Sequence, residues 1–412
     1  MLAPKTHATT RDTDLMKLTT QLQTCTLCLF DSRIPGISFD RHGKCSYCYL
    51  HEQMCEQFPT GEAGQRNLDN LVNSIKASGK NKRYDCILGV SGGCDSSFLL
   101  HELVNRGLRP LAVHFDNTWN SQTATSNIYL MLDQLDVPLE TYVVDNREYD
   151  DISRSMIKAG VPEFDAPTDI ALKAVCLRAA EAHHVKYLIE GHSFRTEGVA
   201  PLGYMYFDGR YIKEIHRRFG DMPMKTYPNM DIWRFLRWST ISNIRRVRPL
   251  YSIDYHKEQV KQFLSREYGW EWYGGHHLEN QLTAFHHTFY LPQRFGLDLR
   301  FVELSGRIRS NQLTRDEAKE EYLAGPRVDH ELVGMVRKRL GISLTEWDDL
   351  MDAPLRYFTD FPTYRKVFRA LRPLFWILYR LERVPKTFYE KFCKPQPSLQ
   401  SLPRTRPVER HL

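Results

Sequence analysis

Gly89-Val-Ser-Gly-Gly-Cys-Asp-Ser-Ser97 is the stretch on which the fold reading turns. Residues 84–90 (YDCILGV) before it read as a buried strand, and a helix is predicted from Ser96 onward. A glycine-rich turn between a strand and a helix is where a parallel sheet presents its ligand site. Gly92 and Gly93 allow the backbone to wrap an anion, with several N–H groups converging on it. Ser91 adds a hydroxyl, and Ser96 or Ser97 is expected to cap the helix, whose N-terminus favours negative charge. Asp95 would be badly placed against bare phosphate, so a Mg²⁺ ion held by Asp95 is expected between them. The segment is neither a GxxxxGK[ST] loop nor a dinucleotide GxGxxG.

Outward from this loop the pattern alternates. Strands are predicted at 109–115, 139–144 and 185–190, with helices across 126–135, 150–160 and 169–184. Short apolar strands separated by helices predict an α/β fold with a doubly wound parallel sheet. His114-Phe-Asp116-Asn ends the second strand and Gly191-His192 ends a later one, so Asp116, Gly191 and His192 are candidates for the same crevice. Leu68, Leu71, Val72 and Ile75 recur at helical spacing and predict a linker helix over 61–82. Residues 1–22 read as a disordered arm, 23–60 as a cysteine module, 83–220 as the nucleotide domain, 221–350 as an acceptor or partner region and 351–412 as a basic aromatic tail. Beyond about 205 the pattern is aromatic and irregular, with helix starts marked by Thr314-x-x-Glu317 and Ser343-x-x-Glu346.

Nine cysteines, an odd number, argue against a disulfide framework. Four are organised as Cys25-x-x-Cys28 and Cys45-x-x-Cys48, the spacing of a structural zinc site, with an iron–sulfur cluster as the alternative on the same ligands. Four sulfurs leave no open coordination position. The net charge is +6, but residues 353–412 hold 13 Lys and Arg against 4 Asp and Glu, a local +9 that leaves −3 for the rest. The body is no polycation, and no nucleic-acid partner is expected. The longest apolar run is far short of a membrane span, and the first residues lack a signal-peptide core, so a cytoplasmic protein is expected.

The Ser-Gly-Gly-x-Asp-Ser core resembles the PP-loop ATP pyrophosphatases, which attack the α-phosphate of ATP. The whole chain, over about 23–350, resembles the N-acetyl sugar amidotransferases of bacterial surface-polysaccharide biosynthesis. The likeness rests on the cysteine pairs, the Ser91–Ser97 loop, His114-Phe-Asp-Asn-Thr-Trp-Asn-Ser121, Ala166-Pro-Thr-Asp-Ile-Ala-Leu172 and Gly191-His-Ser-Phe-Arg-Thr-Glu-Gly198. It continues through Tyr273-Gly-Gly, Leu291-Pro-Gln-Arg-Phe-Gly296 and Leu313-Thr-Arg-Asp-Glu-Ala318. His276, Leu299 and Asn311 depart from it, where lysine, an Asp-Lys-Arg run and glycine are expected. The resemblance implies an AMP-forming carbon–nitrogen ligase using ATP and Mg²⁺, with catalytic Ser91, Asp95 and Ser96 and nucleotide contacts from Gly92, Gly93, Ser97, Asp116, Gly191 and His192. An acetamido group of a sugar nucleotide or nonulosonic acid would become acetamidino, in lipopolysaccharide O-antigen or a related glycan.

Glu197, His277 and Glu279 are candidates for the acceptor. The one Gly-flanked cysteine, Cys94, sits inside the loop, so ammonia is expected from a separate glutaminase. Arg245, Arg246 and Arg248 read as a solvated basic face, with a clamp on the diphosphate of a sugar nucleotide as the other use, and Cys176 as buried packing. The aromatic, basic tail is expected to pack on the body or a partner, with a weak membrane-surface contact as the other use. The rival readings are a tRNA-thiolating PP-loop enzyme and a non-catalytic zinc-ribbon nucleic-acid adaptor. Against the first, the core lacks a second CxxC; the intact loop speaks against the second.

Overall fold

The computed structural model of the protein describes residues 22–201, 205–275, 278–381 and 383–394. The arm expected over 1–22 lies, except for Leu22, outside them, as do His276, His277 and the proline-rich end from Pro395.

Five strands make one sheet: β1 (Cys86–Gly89), β2 (Pro110–Asp116), β3 (Leu139–Val143), β4 (Tyr187–Ile189) and β5 (Arg245–Val247). Their order is β3-β2-β1-β4-β5, and every neighbouring pair is parallel, with Ile87 opposite both Leu111 and Leu188. Helices precede and connect the strands: α1 (Ser46–Gln57), α2 (Gly61–Gly79), α3 (Cys94–Asn105), α4 (Gln122–Gln134), α5 (Asn146–Ala159), α6 (Ala166–Ala182), α7 (Gly209–Phe219), α8 (Ile232–Thr240) and α9 (Lys257–Tyr268).

Alternate strand residues point to opposite faces, and both faces are buried. Ile87, Leu111, Val113 and Phe115 pack with Ile152 and Met156 of α5 and Ala174 of α6. Cys86, Leu88 and Ala112 pack on the other face with Val72 of α2, Leu99 of α3, Ile128 of α4 and Leu264 of α9. This is the doubly wound sheet predicted from the sequence. The chain runs outward from β1 to β3 and then returns to β4 on the other side of β1. That reversal places the topological switch point at the end of β1.

The sequence reading missed β5. Arg245-Arg-Val247 has no apolar alternation, so it read as part of a solvated face. The structure corrects this. Glu190, following β4, holds Arg246 on one carboxylate oxygen and Arg248 Nε at 2.9 Å on the other, and all three side chains are largely buried.

Beyond residue 280 the chain is helical: α10 (Gln281–Phe285), α11 (Leu291–Phe295), α12 (Arg300–Arg309), α13 (Arg315–Leu323), α14 (His330–Arg339), α15 (Leu344–Asp352), α16 (Arg365–Ala370) and α17 (Arg372–Arg380). The capping box at Thr314 forms in full. At Ser343 only the first half forms, because the Glu346 carboxylate turns to Arg154. Asn311 holds a left-handed φ of 56°, so the expected glycine is replaced by a residue that tolerates this region. The tail packs on the body: Phe368, Phe375 and Leu378 join Ile232 and Phe235 of α8 in one cluster. Among the described residues no helix is long and apolar enough to cross a membrane.

Burial pushes the Glu190 carboxyl up, but Arg246, Arg248 and Lys173 outweigh it and hold it at about 2. A carboxyl depressed in the fold adds stability above its unfolded pKa of about 4.5, lost as pH falls from there toward about 2. Replacing Glu190→Gln leaves two buried guanidiniums uncompensated and should cost on the order of 3 kcal/mol at pH 7. Urea unfolding from pH 7 down to pH 2 should show that the difference from wild type shrinks across this acid window.

Candidate active site

The loop after β1 is shaped by a close approach. Gly92 holds φ +77°, and a Cβ there would lie 2.1 Å from the Ala124 carbonyl at the start of α4, so only glycine fits. The Gly92 carbonyl accepts from Trp270 Nε1 at 3.1 Å and from Asn127 Nδ2 at 3.4 Å. Ser91 Oγ accepts from Gly93 N at 3.2 Å and donates to Glu279 Oε1 at 3.3 Å. Helix α3 starts after Gly93, two residues earlier than predicted, so neither Ser96 nor Ser97 is its cap. Ser96 Oγ donates back to the Gly93 carbonyl at 3.1 Å and faces Ser91 N, stitching the loop from inside, while Ser97 is buried in the first turn.

Asp95 lies in that first turn and is largely buried. Tyr255 donates its hydroxyl to Asp95 Oδ1, and Lys257 Nζ lies 3.5 Å from Oδ2. Burial pulls the Lys257 ammonium down, but Asp95, Glu303 and Glu197 outweigh it and hold it above the ordinary lysine range. A magnesium ion accompanying a triphosphate would share Asp95 with Lys257. Sequence reasoning missed Lys257. The available signal was its place in α9, where it shares the buried face with Val260 and Leu264.

At the end of β4, a Cβ on Gly191 would lie 3.7 Å from Asp95 Cβ and from Ser96 N, so this strand end neighbours the loop. His192 Nε2 lies 3.4 Å from Glu197 and its Nδ1 3.1 Å from the Tyr251 hydroxyl. Asp116 accepts from Thr118 N at 2.7 Å at the end of β2. His114 bridges the two strand ends, with Nδ1 2.9 Å from the Val90 carbonyl and Nε2 2.9 Å from Asn120. Burial pulls His114 down, so the neutral ring donates to Val90 and accepts from Asn120.

Glu279 reaches the loop because its backbone docks on the segment after β2. Its carbonyl accepts from Ser121 N at 2.9 Å, and Asn280 Nδ2 donates to Asn117 and Asn120. Tyr273, from the same segment, accepts at its hydroxyl from Cys94 N at 3.4 Å. A carboxylate and a phenol oxygen thus sit on the donors of the loop. His277 lies outside the described residues.

The four cysteines form a separate centre. Their Sγ atoms all lie within 4.8 Å of one another, and the separations Cys25–Cys48, Cys28–Cys45, Cys45–Cys48 and Cys28–Cys48 are 3.7, 3.8, 3.5 and 3.7 Å. Metal–sulfur bonds of about 2.3 Å in a tetrahedron give sulfur–sulfur edges of about 3.8 Å, so this set fits one ion and is too tight for a multi-iron cluster. Arg309 donates to Cys28 Sγ at 3.0 Å and Cys48 Sγ at 3.4 Å, placing positive charge where thiolates would gather negative.

Residues 279–374 match the family model for the C-terminal domain of WbpG-like LPS biosynthesis proteins. That supports the family resemblance. No curated protein matches the chain. Among solved structures, NMN synthetase from Francisella tularensis is similar at 13% identity and a TM-score of 0.32, covering 69% of this chain and 95% of that one. The NH3-dependent NAD synthetase from Campylobacter jejuni subsp. jejuni NCTC 11168, in complex with nitrate, is similar at 12% identity and a TM-score of 0.31, covering 71% and 98%.

Metal analysis of the purified chain should return about one thiolate-bound ion per chain, and Cys45→Ala should abolish it. Cobalt substitution should give the absorption of a tetrahedral tetrathiolate; an octahedral spectrum would contradict the geometry.

Proposed function

We propose that the protein is an ATP-dependent, AMP-forming ligase of lipopolysaccharide biosynthesis that converts an acetamido group of a sugar substrate to acetamidino. The observation that carries this reading is the Ser91–Ser97 loop at the switch point, with Asp95 and Lys257 beneath it. The Cys94 N–H and the Ser91 hydroxyl, beside the helix N-terminus, are donors of the kind that phosphate binding requires. Tyr273 and Glu279, which occupy those donors without ligand, give way to triphosphate oxygens.

The chemistry follows from what an amide lacks. Its carbonyl carbon is a weak electrophile and its oxygen a poor leaving group. The acetamido oxygen attacks the α-phosphorus of ATP, the bond to the bridging oxygen breaks, and pyrophosphate leaves. Ammonia then adds to the imidoyl carbon, loses a proton, and expels AMP. Lys257 and the loop N–H groups stabilise charge gathering on the leaving phosphates. A magnesium ion held by Asp95 would add to that stabilisation, and zinc in the four-cysteine centre would be structural.

A separate glutaminase supplies the ammonia. Burial and the adjacent Asp95 push the Cys94 thiol up to about 12, which disqualifies it as a nucleophile at neutral pH. The tRNA-thiolating alternative fares no better, since burial pushes Cys176 to about 12 as well.

Full-length protein given Mg-ATP, ammonium and N-acetylated sugar nucleotides or nonulosonic acids should form AMP, pyrophosphate and a product 1 Da lighter, NH replacing O. Asp95→Asn should lower AMP formation by about 10²-fold or more while the fold is retained. AMP formation that requires tRNA and is accompanied by sulfur incorporation would replace this reading with thiolation.

A further inference from the structure

The tail holds α17 by one face and leaves the other to solvent. On the inner face Phe375 and Leu378 are buried, with the Phe375 ring 6.1 Å from Phe235 and 5.4 Å from Phe388. The outer residues fall in two neighbouring rows at i, i+4 spacing. One row is Arg372, Trp376 and Arg380; the other is Pro373 and Ile377, continued by Leu381 just past the helix end. All six are exposed, with Trp376 51%, Ile377 49% and Leu381 54% open to solvent. Among the described residues these three apolar side chains join no buried cluster, so the fold is not what requires them there.

The charge around this face has one sign. Helices α16 and α17 together hold five Arg or Lys in fifteen residues and no Asp or Glu. The Arg380 guanidinium lies 5.7 Å from the Trp376 centroid, so cation and ring share one surface. The cations continue past the helix. Arg383 has Nε and Nη1 buried without a hydrogen-bond partner. Burial, and then the neighbouring Arg245, pull its guanidinium below the ordinary arginine range, and no carboxylate acts against them.

Apolar side chains set among arginines that lack counter-charges suit a surface offering hydrocarbon and negative charge at neighbouring depths. A bilayer with anionic headgroups is such a surface. Tryptophan sits at headgroup level, aliphatic side chains enter the acyl boundary, and arginines extend to the phosphates. At 1.5 Å per residue α17 is about 14 Å long, too short to span a membrane and suited to lying in its interface. A globular partner would have to bury acids against these arginines, at a desolvation cost that hydrated headgroups avoid.

We propose that the outer face of α17 docks the protein on an anionic phospholipid membrane surface, with Trp376, Ile377 and Leu381 at the acyl boundary and Arg372 and Arg380 on lipid phosphates. This docking is independent of the reaction at the loop site. The test is co-sedimentation of the full chain with vesicles of equal parts phosphatidylglycerol and phosphatidylcholine, and with phosphatidylcholine alone. Wild type would be compared with the double variant Trp376→Ser, Ile377→Ser and with Arg380→Glu. Wild type should bind the phosphatidylglycerol vesicles, more weakly as salt is raised, and leave phosphatidylcholine in the supernatant. Each variant should weaken binding about tenfold, the first through lost apolar burial and the second through charge.

All the substituted side chains are exposed, so thermal melting should be unchanged; if one variant melts early, the other carries the test. Absence of vesicle binding would overturn the proposal. So would equal binding to phosphatidylcholine, or binding that neither variant weakens. Self-association of wild type that the Trp376→Ser, Ile377→Ser variant abolishes, without vesicle binding, would also overturn it and give the face to a second copy of the chain.

Discussion

A carboxylate withdrawn from water must be given a counter-charge, and Asp95 imposes that condition on the rest of the chain. Its place in the first turn of α3 is favourable to the helix dipole but leaves it largely out of solvent. Lys257 and Tyr255 answer the need from a segment that follows β5. They reach Asp95 only because β5 lies beside β4 and α9 crosses back over α3, burying Leu264 against Leu99. The Glu190 pair with Arg246 and Arg248 holds β5 in that position. One buried charge pair thus secures the strand whose continuation supplies the partner for another.

The helical C-terminal part acts on the same site from the opposite side. Arg339 of α14 stacks on Trp119 at 3.7 Å, pairs with Asp150 at 3.0 Å and donates to the Thr118 carbonyl at 2.7 Å. Thr118 holds a left-handed φ of 62°, which a β-branched residue adopts only when its surroundings impose it. Asn280 then fixes Asn117 and Asn120. The segment after β2 is therefore shaped by residues far along the chain, and Glu279 is delivered to Ser91 by the same docking.

Most of the sheet was legible because its signals are local. Strands of three to seven residues, glycine turns and helical spacing each read from a short window, and β1 to β4 fell where expected. The loop was legible for the same reason, and so was the four-cysteine centre. What could not be read was pairing across distance. Arg245-Arg-Val247 carries no strand pattern, since Arg246, and Arg248 just after it, are satisfied by Glu190. Ser96 and Ser97 look like caps by composition, but Gly93 takes that position because the helix begins earlier. Lys257 resembles any surface lysine until its helical face is known.

The cysteine module explains itself through its neighbours rather than through its ligands. Arg309 and Ser305 of α12 contact it directly, by the N–H···S bonds and by a 3.2 Å bond from Leu29 N to Ser305 Oγ. The other side of α12 bears on the segment after β4. Gly306 lies so close to Gly198 that a Cβ would sit 2.6 Å from its Cα, and Gly198 in turn lies under the Val302 carbonyl. The chain leaving the module reaches the same segment: His51 packs edge-on against Phe194, and Phe58 accepts at its carbonyl from Arg195 at 2.6 Å. His192 and Glu197 are therefore held between the sheet and a helix whose position is fixed by the cysteines. An ion closing the four sulfurs would tie that helix to the cysteine module. Four thiolates would leave no open position for chemistry, and the contact of the two glycines joins the helix beside them to the segment that carries His192 and Glu197.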